Sequence, residues 1–382
     1  MNNRHFLSLG AIALAALLTG GPLKAGTDDH VHLHGFVSQA MLYSTGNNYY
    51  GESRDGSTDF MEAGLYGHYR LTPKSFLSAQ ITTRDAGTTD NGSVELDYLF
   101  ADIKALENSS SGLGFRIGRV RNSYGLYNDT RDVLFTRPSI LMPQAIYFEG
   151  NGLREILFAS DGAQLYSYWD KDNNSTSLTM TYGLNRDIED KVLKNLLGPS
   201  ADLVNDASVD SPIFVKLLHN QDGGRRRFAV SLLDLSINLD TVLPQSPSVD
   251  LVANSLVLSG QLNLSRWSFT SEAAYTSVEY RGIQGGEDSD ISSAYLQTQY
   301  RLLPELSMFS RYEYSMSDLQ ESGSSSTGHW VVGGQWTPTP SWIVSADYYY
   351  MRGTSGVPMG DNAGRQLDSR TQVFAIMVGY RF

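Results

Sequence analysis

From the middle of the chain onward, apolar and polar residues alternate in segments of about ten residues, separated in turn by short turns and longer polar loops. In Tyr295–Leu302 one face carries Leu296, Thr298, Tyr300 and Leu302, and the other Tyr295, Gln297, Gln299 and Arg301. Leu303-Pro304-Glu305 then reverses the chain. The next segment sets Leu306, Met308, Ser310, Tyr312 and Tyr314 against Ser307, Phe309, Arg311, Glu313 and Ser315. A period of two means extended strands with two unlike faces. The apolar faces begin or end on Trp267, Tyr275, Tyr300, Tyr314, Trp330, Trp336, Trp342 and Tyr350. A soluble sandwich alternates too, but it does not place Trp and Tyr at strand ends so regularly. Two aromatic girdles at the surfaces of a bilayer do.

The pattern predicts sixteen strands, with cores at 32–43, 60–71, 76–84, 94–104, 113–121, 162–169, 176–184, 212–219, 227–239, 254–264, 267–280, 293–302, 306–316, 329–337, 341–351 and 370–382. The expected fold is therefore all-β, an antiparallel transmembrane barrel. An even count puts both ends of the barrel on the periplasmic side, with the short turns (72–75, 265–266, 303–305, 338–340). The longer connections are then extracellular. One of them, Asp187–Leu197, has a helical stripe of Val192, Leu193 and Leu196 with Gly198 as its stop.

The final strand turns Phe374, Ile376, Val378, Tyr380 and Phe382 to one face. Here the chain resembles bacterial outer-membrane proteins, whose last strand ends in an aromatic residue read by the barrel-assembly machinery. That resemblance implies an assembly signal at Tyr380 and Phe382.

Composition agrees with export. Gly (36) and Tyr (22) are abundant while charged residues make up 18%, which favours strands, tight turns and interfacial aromatics over helices. The chain is acidic, with 41 Asp+Glu against 29 Lys+Arg, and this argues against nucleic acid as a partner. It has no cysteine, hence no disulfide framework and no lipoprotein anchor. Arg4 precedes an uncharged stretch from Phe6 to Leu18, and small residues follow up to Ala25. Residues 1–25 are expected to be a secretory signal peptide, too short in its apolar part to span a bilayer. The barrel is expected over 26–382.

The connection between the fifth and sixth strands, Arg121–Gly152, stands apart. Long structureless loops are usually functional or disordered, and this one is too rich in Leu, Ile, Tyr and Phe for disorder. As the third extracellular connection it can fold into the barrel. Gly118-Arg119-Val120-Arg121-Asn122-Ser123-Tyr124-Gly125-Leu126, with Arg131-Asp132 beyond it, resembles the pore-dipping segment of sixteen-stranded porins, and more closely that of the phosphate-selective and related specific porins. The resemblance implies a water-filled channel for passive diffusion of small hydrophilic solutes and ions, a homotrimer, a surrounding of outer-membrane lipid and lipopolysaccharide, and a constriction formed by Arg121, Arg131, Asp132, Arg137 and Glu149. A substrate-selective anion channel for phosphate or carboxylate is the alternative. The phosphate-selective branch lines its pore with runs of Arg and Lys, whereas lysine is scarce in these strands and carboxylates interrupt the arginines.

The expected pore wall is mixed in charge: Arg70, Arg84, Arg116, Arg301, Arg311 and Arg381 with Glu62, Glu272, Glu313 and Asp347. A water-filled barrel needs a polar interior in any case, so most of these are solvated wall. His30, His32 and His34 would share one face of a strand, a spacing able to bind a transition metal or simply to line the periplasmic mouth. His68, His219 and His329 lie in no catalytic motif, and neither Gly-x-Ser-x-Gly nor His-Glu-x-x-His occurs. No enzyme activity and no cofactor are expected. An outer-membrane barrel enzyme and a structural or adhesive barrel remain the competing classes.

Overall fold

The computed structural model describes residues 31–147, 149, 153–244, 248–282, 288–318 and 325–382. The expected signal peptide and His30 lie outside them, as do 148 and 150–152 of the third connection. Sixteen long strands form one antiparallel sheet: β1 (Val31–Thr45), β2 (Phe60–Thr72), β3 (Ser75–Ala86), β4 (Asn91–Glu107), β5 (Ser111–Arg121), β6 (Ala159–Lys171), β7 (Asn174–Gly183), β8 (Val204–Gln221), β9 (Arg226–Thr241), β10 (Ser248–Asn263), β11 (Trp267–Arg281), β12 (Ser289–Leu303), β13 (Leu306–Ser317), β14 (Ser325–Thr339), β15 (Trp342–Arg352) and β16 (Arg370–Arg381). A two-residue strand, Arg186–Asp187, adds to the upper part of β8.

Closure follows from β1, which pairs with β2 on one side and with β16 on the other. A closed sheet leaves no strand edge to be satisfied by lipid. The register settles the faces. Leu296, Met308, Trp330, Val332, Phe374 and Ile376 are exposed on the outside, and Tyr295, Phe309, Arg311, Glu313 and Asp347 are buried inside. The aromatic residues form two rows. Trp267 packs on Tyr300 (4.6 Å) and Trp342 on Tyr380 (4.8 Å) at the short-turn end, while Tyr275, Tyr314, Trp330 and Tyr350 sit toward the long-loop end. The ring of Phe382 covers Gly35, and its backbone continues the ladder with that residue.

Strand existence follows the sequence throughout, but β8–β10 run further toward the long loops than the alternation suggests. β8 begins at Val204 rather than 212, and β10 at Ser248 rather than 254. The cause on β8 is a bulge. Asp234 pairs with Ile213 but Ser236 pairs with Asp210, so Ser211 (φ 39°) and Pro212 interrupt the pleat. Beyond the bulge the apolar side points inward. Leu233, Leu235, Ile237, Leu239, Ala207, Val209 and Val249 are buried, whereas Asp234, Asp240 and Asn254 are exposed. The inner side packs on a helix, α3 (Asp190–Leu197), through Val192 and Leu193. This helix forms as its stripe predicts and ends at Gly198, whose φ of 55° suits a residue without a Cβ.

Candidate functional site

The connection after β5 contains two short helices, α1 (Gln144–Tyr147) and α2 (Leu153–Phe158), and then enters β6 at Ala159. Its residues meet inward-facing groups from most of the barrel. Leu134, Ile140, Leu141 and Met142 are buried, the first three against an apolar stretch of wall that includes Leu42, Phe60, Phe309, Val331, Ile343, Val373 and Met377. Burial of such side chains stabilises by roughly 1.5–3 kcal/mol each, and this explains why a loop is so rich in Leu, Ile and Met.

Polar anchors fix the same segment. Glu272 of β11 is fully buried and accepts hydrogen bonds from the Leu126 amide (2.9 Å), Tyr147 hydroxyl (2.7 Å), Tyr295 hydroxyl (2.7 Å) and Ser259 hydroxyl (2.7 Å). Four donors replace the water that a buried carboxylate needs. Gly125 sits beside it with φ 55°, where a Cβ would lie 2.4 Å from the Tyr147 hydroxyl. On β15, Asp347 accepts from the Ile140 amide (2.7 Å), and the Tyr349 hydroxyl accepts from the Leu141 amide (2.9 Å). On β13, Glu313 accepts from the Ala145 amide (3.0 Å), while Arg311 donates to Glu313 (2.7 Å), Ser139 (2.7 Å) and the Leu141 carbonyl (3.3 Å).

Four of the five residues singled out in this connection pair with each other, and the fifth, Arg137, pairs with the wall. Arg131 donates to Glu149 (3.1 Å) and to the Tyr147 carbonyl (2.7 Å). Arg137 reaches Glu62 of β2 (2.6 Å), which also pairs with Arg84 (3.3 Å). Arg121 donates to Asp132 (2.8 Å) and Gln80 (2.8 Å). Arg131 and Arg137 are buried on their carboxylates, so both act as clamps between segments. Breaking one partner of such a pair costs about 3–5 kcal/mol, because the other charge stays buried.

The chain matches no protein-family profile and no curated protein sequence. Solved structures do match along nearly its whole length. The outer membrane channel DcaP of Acinetobacter baumannii aligns with TM-score 0.59 and 13% identity over 95% of this chain and 99% of its own. An anion-selective porin from Comamonas acidovorans gives 0.60 and 12% over 92% and 99%. OmpT of Vibrio cholerae in its trimer form gives 0.60 and 11% over 92% and 99%. The fold is that of the outer-membrane porins.

Within this porin-type barrel the wall residues divide by depth. Glu62, Glu272, Arg311, Glu313 and Asp347 are buried and bonded to the third connection, and Arg84 is buried between Glu62 and Asp90. Arg70, Arg301 and Arg381 are exposed near the short-turn end. Arg381 lies over Phe135 of the connection (4.4 Å), so the segment reaches that far down the interior. His32 stacks on His68 (4.7 Å) and His34 lies against Tyr66 (5.5 Å), all in the same mouth. Among the described residues these histidines do not converge with a third ligand.

Sequence reasoning missed two groupings. Asp90, Glu95 and Glu155 bring their carboxylates within 4.8 Å of one another. Lys191 of α3 occupies that cluster, bonded to Glu95 and lying 3.4 Å from Glu155 and 3.8 Å from Asp90. Burial, with the charges of Glu95 and Asp90, pushes the Glu155 carboxyl up to about 7. Nothing local in the sequence joins residues so far apart. The second grouping is aromatic. Tyr98, Phe100, Tyr166 and Phe158 gather around Arg116 and Arg121 on the wall of β4–β6. Inward parity within strands 94–104 and 162–169 was the available signal for three of them, since the exposed Leu99, Ile117 and Leu165 mark the outer face.

Proposed function

We propose that the chain is an outer-membrane porin, a water-filled channel for passive diffusion of small hydrophilic solutes and ions. The observation that carries this reading is the third connection. Its backbone amides donate to Glu272, Glu313 and Asp347, carboxylates set on three separate strands of a closed sixteen-stranded wall. A segment held this way narrows the passage at a fixed aperture. Arg121, Arg131, Asp132, Arg137 and Glu149 then serve the constriction mainly by holding its shape. Field lines concentrate in such a passage, so a charge that remains exposed there governs which ions pass.

The chain is read as a channel rather than an enzyme, and a lipid-hydrolysis assay on the purified barrel tests that choice. Residues 1–25 are removed on export, and Tyr380 and Phe382 form the signal for the assembly machinery. The outward polar side of β8–β10 faces lipopolysaccharide headgroups. The assembly is a homotrimer, by analogy with the trimer form of the Vibrio cholerae protein. Reconstitution in planar bilayers tests the main reading. Discrete conductance steps are expected, and a folded barrel that passes no ions would refute it.

An anion-selective channel is favoured by one detail. In the two ion pairs that hold Arg116 and Arg121, the cation is more exposed than its carboxylate. Arg116 has 34% of its side chain exposed against 14% for Asp102, and Arg121 19% against 2% for Asp132.

A further inference from the structure

The third connection packs on β1 and β11–β16 and is bonded to Glu62 of β2 and Gln80 of β3, while Phe100, Asp102, Arg116 and Tyr166 on the inner side of β4–β6 stay half-exposed to the passage. On this wall the guanidinium of Arg116 lies between Phe100 (5.3 Å) and Tyr166 (4.7 Å). The guanidinium of Arg121 lies between Tyr98 (4.6 Å) and Phe158 (5.2 Å). Tyr98 and Phe100 are neighbours at 5.5 Å, so the two sandwiches join into one continuous stack. Toward the short-turn end, Arg70 and Lys104 lie over Phe76 at 5.7 and 5.6 Å.

The stack differs from an ordinary solvated wall in two respects. Its arginines are held in place, because each lies over two rings and donates to fixed acceptors, Arg116 to Asp102 and Gln164 and Arg121 to Gln80 and Asp132. Arg116 donates through Nε and Nη1, and its Nη2 has no hydrogen-bond partner among the described residues. The free Nη2 edge of such a guanidinium is the side open to a ligand, and that edge matches a carboxylate. The rings beside it are half-buried, so an apolar surface can rest on them in the same passage.

We propose that this stack is a binding track for organic carboxylates that carry a flat apolar body next to the acid group. The acid oxygens meet the Nη2 edge of Arg116, and the body lies along Phe100 and Tyr98. The track rests on the channel reading above and names the solute class for it. Inorganic anions gain only the edge contact. Neutral aromatic solutes gain only the ring contact. Only a solute with both engages the whole stack.

The test is current block of the full-length channel in planar bilayers. Benzoate is expected to block at about tenfold lower concentration than acetate, the margin that a ring contact in a partly solvated site supplies. Inorganic phosphate should behave like acetate, and benzyl alcohol should not block. Arg116→Gln should remove the preference for benzoate over benzyl alcohol, and Phe100→Leu should remove its preference over acetate. Both comparisons among solutes on the unaltered chain need no variant to fold. A conducting channel that benzoate, acetate and phosphate block alike would overturn the track alone. A folded barrel without conductance would overturn both the track and the channel.

Discussion

β9 has two interiors. In its lower half Ser231 faces inward, hydrogen-bonded to the Gly125 amide (3.1 Å), while Val230 and Leu232 face outward and are exposed. In its upper half Leu235, Ile237 and Leu239 face inward and are buried, while Asp234 and Asp240 face outward. The strand and its alternation continue without a break, yet the apolar side has changed. Side chains follow the solvent on each side of the sheet. Where lipid lies outside, the apolar residues turn out, and the water-filled interior takes the polar ones. Where water lies outside, the inside becomes an ordinary dry core, here closed by Val192 and Leu193 of α3. The bilayer edge therefore falls between Leu256 and Asn254 on β10, and between Leu232 and Asp234 on β9.

The comparison breaks most sharply at Ile237. Replacing it with Asp puts an unpaired charge into the dry core, and a loss of about 3–5 kcal/mol is expected. Unfolding in denaturant and detergent measures it. The outward neighbour Asn238→Asp should stay within about 0.5 kcal/mol. Next comes the lipid side. Leu258→Arg should cost about 2–4 kcal/mol in bilayers, and Asn254→Arg, four residues along the same outer face, less than about 1 kcal/mol. Equal losses at these two positions would remove the inferred bilayer edge. Glu272→Gln probes the polar interior of the lower half. An amide group cannot accept from all four donors, so a loss of about 1–3 kcal/mol is expected, with a raised conductance as the third connection loosens.

The smallest effect is a slope. The Glu155 carboxyl is raised from its ordinary value to about 7, so the folded arrangement binds more protons than the unfolded one between pH 4.5 and 7. The contribution of this carboxyl to the docking of α3 is thus full below pH 4.5 and is lost as pH rises through 7. Hydrogen exchange of residues 190–197, compared between the native chain and Glu155→Gln, should show the pH dependence in the former and not in the latter.

What the sequence made legible follows the same division. Along β12–β16 lipid lies outside and the alternation is strict, so Tyr295–Leu302 and Leu306–Ser315 could be assigned strand by strand. In the upper part of β8 the bulge at Ser211-Pro212 shifts the parity and the outer face turns polar, so a search for outward apolar residues stopped at 212. The excess of apolar residues in 121–152 showed that the connection must pack on something. The pairing of Arg131 with Glu149 lies within the connection and was open to reading, but that of Arg137 with Glu62 was not, because it depends on where β2 stands in the closed sheet. The stack around Arg116 was hidden for a related reason. Its rings come from two strands and a loop helix, and only the inward parity of the strand residues was readable.

The central claim is that the third connection narrows a conducting passage, and deletion of Leu126–Ala145 tests it most directly. Single-channel conductance would be compared between the full chain and the deletion, each first shown to be a folded barrel by its heat-modifiable migration on gels. Discrete steps are expected for the full chain and clearly larger steps for the deletion. Equal conductance in the two folded barrels would contradict it.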